Sequence, residues 1–168
     1  MLNTLSQWIS QSQMRDWALW ALGNIPGFPP IIQSIHLLSI CAIVASAVFL
    51  NLRVIGVAAR AQSVTEMSHR LRYWAFGGLL GAFCSGIFFI LARPTRYFDN
   101  PVFHIKFIAL LVAVILSAIV FSIAAKREEK PLAGMAKIIA FVSLCAWILV
   151  ILAGRWIAYS EYLFWRDY

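Results

Sequence analysis

The sequence predicts an all-α integral membrane protein: a four-helix up-down-up-down bundle with an interfacial amphipathic helix at its N-terminus. Three observations carry this expectation. Hydrophobic residues make up 62% of the 168 and charged residues only 12%, whereas a soluble domain runs nearer half apolar and a quarter charged. The apolar residues fall in four long blocks, each close to the ~20 residues that cross a bilayer as a helix. The links between blocks are short, which makes successive helices antiparallel neighbours.

Residues 1–24 carry Leu5, Trp8, Ile9, Met14, Trp17 and Trp20 among Ser, Gln, Arg and Asp. They lack the basic start and continuous apolar stretch of a signal peptide. The pattern reads as one amphipathic helix with its tryptophans at headgroup depth. "GNIPGFPP" (23–30) ends it, since Gly23 can cap and the prolines block continuation. The bundle then spans 31–158, with helices over 31–55, 71–92, 102–125 and 135–158, and 159–168 forms a C-terminal tail. There is no internal repeat, phosphate-binding loop, nucleophile elbow or zinc-protease motif.

Charge sets the expected topology. Arg53, Arg60, Arg70, Arg72, Lys126, Arg127, Lys130 and Lys137 gather on one side; Arg15, Arg93, Arg96, Lys106, Arg155 and Arg166 gather on the other. The more basic side faces the cytoplasm, so both termini are expected in the periplasm of a bacterial inner membrane. The formal charge of +7 calls for no nucleic-acid partner, because cations flanking spans answer to topology and anionic lipid. Cys41, Cys84 and Cys145 lie inside spans and form no CxxC pair, so they read as small apolar core residues. No carboxylate falls inside a span, which argues against a proton-relay transporter. Trp74, Phe88, Phe89 and Trp147 lie off the small-residue stripe of the second span and are candidate seam residues of a homo-oligomer.

His36 sits about one and a half turns into the first span, and His104 within the first turn of the third. Odd-numbered spans run the same way, so both fall on the outer side, at depths of ~8 and ~4 Å. The first and third helices are diagonal partners, so two imidazoles facing across the core could supply both axial positions of a low-spin haem. Gly77 and Gly81, with Ser85 one turn on, give a smooth stripe that a porphyrin or another helix could approach. Arg93, Arg96, Lys106 and Arg155 fall on the same side as candidate propionate partners. The expected cofactor is non-covalent haem b, since no CxxCH motif is present, and the expected role is electron transfer or redox sensing with an unspecified redox partner. The alternatives are copper handling by the same histidines and a cofactor-free scaffold with His36 hydrogen-bonded inside the bundle. His69, at the opposite end, reads as interfacial.

"IHLLSICAIVASAVFLNLRVIG" (35–56) and "GLLGAFCSGIFFILARPTRYFDNPVFHIKFIALL" (78–111) resemble an uncharacterised family of small bacterial four-helix membrane proteins. The residues carrying the resemblance are His36, Asn51-Leu52-Arg53-Val54-Ile55-Gly56, Ser85-Gly86-Ile87-Phe88, and Asn100, Pro101, Phe103 and Lys106. The resemblance implies the four-helix fold and no particular activity. It does not require a histidine at 104. In architecture alone the family is reminiscent of small b-type cytochromes and copper-resistance membrane proteins.

Overall fold

The computed structural model describes residues 2–126, 134–157 and 159; the loop at 127–133, Ala158 and the tail from 160 onward, including Arg166 of the charge reading, lie outside them. The described chain is helical, in the order α1 (Leu2–Ser10), α2 (Gln13–Asn24), α3 (Phe28–Ile55), α4 (Val64–Ala92), α5 (Pro94–Phe98), α6 (Pro101–Ala125) and α7 (Gly134–Ile157). Four of these, α3, α4, α6 and α7, are long and apolar enough to cross a membrane. The protein is a multi-pass membrane protein.

The expected single helix over 1–24 is two. Ser12 has extended backbone, φ −87° and ψ 146°, and its side chain accepts from the Arg15 N–H. That is a helix N-cap, so the chain stops and restarts there. Trp8, Trp17, Trp20 and Met14 stay exposed, while Ala18 and Ala21 are buried. The Trp17 ring lies 5.6 Å from that of Phe88, so α2 lies against the end of α4, and α1 rests on α5.

Local chemistry explains the other boundaries. Gly27, at φ 76°, turns the chain into α3, whose first turn tolerates Pro29 and Pro30 because N–H groups there have no intrahelical acceptor. Gly56, at φ 90°, closes the helix by donating to Arg53 O and Leu52 O. The helix α4 starts before the apolar block expected at 71. Ser63 caps it by accepting from the Glu66 N–H, and Glu66 occupies the acidic position of the first turn. Pro94 ends α4 and opens the short α5, which the hydropathy pattern does not announce. Asn100 caps α6, its side chain accepting from the Val102 N–H at 2.9 Å.

In the bundle α3 neighbours α4 and α7, and α6 neighbours α4 and α7, leaving α3 and α6 diagonal. Three apolar clusters fill its length, one around Ile43, Ala113 and Trp147, one around Leu50, Val120 and Ala140, and one around Val102, Ala153 and Ile157. Buried polar groups join three helices between them. Asn51 Nδ2 donates to Ser143 Oγ at 3.1 Å, Ser143 and Ser117 share a hydrogen bond at 3.2 Å, and Trp147 Nε1 donates to Ser117 Oγ at 2.9 Å.

Helices α3 and α4 approach most closely along small residues: Gly81 and Ser85 of the expected stripe, with Gly78 in place of Gly77. A Cβ on Gly78 would stand 2.8 Å from Ile43 Cγ1 and 2.8 Å from Ser39 O, and one on Gly81 would strike Ser39 Oγ. Gly77 faces outward, with nothing within 4 Å of an added Cβ. The three cysteines also point outward and are free, in place of the core positions expected of them. Of the expected seam aromatics only Trp74 is exposed. Trp147 is buried in the core, Phe88 is covered by Trp17 and Phe28, and Phe89 stacks edge-on with His36.

Candidate functional site

One end of the bundle holds the starts of α3 and α6 and the ends of α4 and α7. His36 faces inward there, one turn from buried Ile32 and in line with Ile43 and Leu50. Its ring lies against α4. The Ser85 hydroxyl donates to Gly81 O at 2.6 Å, which leaves its oxygen to accept, and His36 Nδ1 is 2.8 Å away. The network therefore assigns the proton to Nδ1, which donates to Ser85 Oγ. Besides Ser85, the imidazole has the Ala82 carbonyl of α4 as a hydrogen-bond partner. Phe89 meets the imidazole edge-on at 5.5 Å, and a Cβ on Gly86 would come within 3.3 Å of Cε1.

Lys106 enters the same end from the diagonal helix. The buried residues of α6 are Val102, Ala109, Ala113, Ser117, Val120 and Ala124, and Lys106 falls on that inward stripe at helical spacing. Its stem lies over Gly154 of α7, whose added Cβ would sit 3.6 Å from both Cε and Nζ. The ammonium is within electrostatic reach of His36, and it has no acidic partner among the described residues. His36, Ser85, Lys106 and Gly154 thus bring all four spans to one place. An unpaired cation in a span points to a functional site by default.

His104 lies elsewhere. It is half a turn off the α6 inward stripe, and Nε2 donates to Phe98 O at 2.8 Å. It borders an apolar groove of 450 Å³ with Ile90, Phe98, Phe103 and Phe107. The structure brings His36 and Lys106 together and does not face His104 toward His36. The other expected cations share that end of the bundle with separate duties. Arg93 is exposed at the α4–α5 junction, Arg96 is partly buried on α5, and Arg155 donates to Tyr159 Oη at 2.7 Å with its guanidinium 4.9 Å from the Tyr159 ring. Between Arg93 and Arg96, burial raises the Tyr97 phenol above its ordinary value, against the pull of both guanidinia. Of the two expected cradle glycines, Gly81 is filled by Ser39 and Gly77 faces outward. His69 is exposed at the far end.

Sequence reasoning singled out His36 and Lys106 but missed Ser85 as the group that orients the imidazole. The signal was present: on one face of α4, Ser85 is a turn from Gly81, where the small residues bring α3 close. Among the described residues no three or more His, Cys, Asp or Glu gather where they could hold a metal ion.

A family profile matches residues 22–160. The chain belongs to a family of unknown function, DUF6644. The match covers all four spans and omits α1 and most of α2, so the DUF6644 core is the bundle with its His36–Lys106 end. This agrees with the resemblance read from His36, the Asn51–Gly56 segment and the approach to α6. No curated protein and no solved structure matches the chain.

Proposed function

We propose that this DUF6644 protein holds haem b at the His36–Lys106 end of the bundle and serves in electron transfer or redox sensing. The observation that carries the reading is the oriented imidazole: Ser85 and the Ala82 carbonyl fix the ring to α4, and with the proton on Nδ1 the unshared pair is that of Nε2. A ligating histidine ordinarily has its second nitrogen fixed by such a partner. Haem brings four of its own iron ligands and supplies one-electron redox chemistry, so a single protein imidazole suffices to hold it. His36 would provide that ligand through Nε2. Lys106 would neutralise a propionate, which accounts for a lone ammonium on an inward stripe. Arg93 and Arg96, at the same end of the bundle, would be the candidates for the second carboxylate. The fit is partial, because Ser39 fills the Gly81 notch and His104 turns away. Among the described residues His36 is therefore the one side chain that would hold the iron. Copper is less well served, since it calls for several side-chain donors. We place the protein in a bacterial inner membrane with both termini in the periplasm, on the distribution of Lys and Arg.

A second reading is favoured by one specific contact. The His36–Ser85 bond and the Ser39–Gly81 approach together describe a helix–helix seam, as in a cofactor-free membrane subunit. One experiment separates the two. The absorption spectrum of the purified protein, with and without dithionite, should show a Soret band that His36→Ala abolishes and His69→Ala leaves intact. A wild-type protein with no Soret band after expression with haem supply rejects the haem reading and leaves the seam.

A further inference from the structure

The opposite end of the bundle contains a crevice that the His36 site does not use. It lies between α4 and α6, has a volume of 290 Å³, and is walled by Phe76, Leu79, Val114, Ala118 and Trp147, with Arg72 at its mouth. Along α6 it runs from Val114 to Ser122, a length of about 12 Å at 1.5 Å per residue. Its long direction is therefore that of the spans themselves. Its walls offer no free polar group: Trp147 donates its N–H to Ser117, and the Ser122 hydroxyl donates to Ala118 O. Arg72 is the exception. Its guanidinium lies 5.5 Å from the Tyr73 ring, and no carboxylate pairs with it among the described residues. Nearby Glu66 is already engaged by Arg70 at 2.5 Å.

We infer that this crevice binds one anionic phospholipid from the adjoining leaflet. An acyl chain would lie along the α4–α6 slot, parallel to the helices, with its phosphate on Arg72. The charge complementarity decides the occupant. A slot that is apolar along its length and cationic only at the membrane surface matches an amphiphile carrying its negative charge at the interface.

Native mass spectrometry of the delipidated full chain, titrated with phosphatidylglycerol or phosphatidylcholine of identical chains, tests this. The wild type should retain phosphatidylglycerol about fivefold better, the effect of one surface cation on an anionic lipid. Arg72→Gln should remove that preference, and Ala118→Phe, which fills the slot, should weaken both lipids. Equal retention in the wild type, or a preference that survives Arg72→Gln, overturns the inference. So does a wild-type dimer that Ala118→Phe dissociates, because the crevice would then be covered by a second copy.

Discussion

The two polar regions of the bundle obey different rules. In its interior Asn51, Ser117, Ser143 and Trp147 bond one another, carry no charge and tie α3, α6 and α7 together. At the His36 end the imidazole is tied to α4 alone, through Ser85 and the Ala82 carbonyl, and the Lys106 ammonium has no acidic partner among the described residues. The interior region behaves as fold, because its polar groups satisfy each other where no water can. The His36 end leaves valences open in the same low-dielectric surroundings, and that is the mark of a site.

The contrast is most sharply tested where packing alone decides. Gly78→Leu forces α3 and α4 apart at Ile43 and Ser39, and about 3 kcal/mol of stability should be lost, as in a badly overpacked core. Gly77→Leu, one residue away but facing outward, should be neutral. Equal losses for the two in a detergent unfolding titration would contradict the helix contact described above.

Next in size is the interior network. Asn51→Leu removes the donor to Ser143 and places a branched chain in a fully buried position, and should cost about 2 kcal/mol. Lys106→Met should act with the opposite sign. Removing an unpaired cation from an inward stripe should leave stability unchanged or raise it by about 1 kcal/mol, while weakening any haem retained by His36. A loss of stability in Lys106→Met comparable to that of Asn51→Leu would erase the distinction between the two regions.

How much of this was legible in the sequence follows from what hydropathy can encode. The described span ends were read to within three residues except the start of α4, seven residues before the expected 71, because crossing a bilayer demands length and apolarity and the polar first turns of α4 carry neither signal. The facing of each span was harder. His104 and Lys106 are two residues apart, yet only Lys106 lies on the inward stripe. The α6 segment is apolar on every side, so periodicity gives no direction. Only the small residues Ala109, Ala113 and Ser117, read as a stripe, could have told the two apart. The break at Ser12 was readable as a cap; the tryptophan pattern on both sides obscured it. The Ser85 partner of His36 depends on the register of α3 against α4, which single-helix patterns do not contain.

The smallest expected effect concerns the rim of the His36 end. The Tyr97 phenol is raised by burial, outweighing Arg96 and Arg93, so the folded chain holds this proton longer than the unfolded chain does. Its contribution to stability is complete below pH ~10 and is lost as pH rises through the higher folded value. In an alkaline absorbance titration Tyr97→Phe should remove a late-ionising phenol. Loss of an early-ionising one would reverse the sign.

The glycine contact between α3 and α4 also bears on how the chain is made. Gly78 and Gly81 meet Ser39 and Ile43, and Ser85 meets His36, all within residues 36–85. This hairpin can therefore close without any contact from α6 or α7. During synthesis the first two spans can leave the translocation machinery already paired, with His36 held by Ser85. Lys106 lies on the second hairpin, so His36 and Lys106 come together only once α6 has joined α3 and α4.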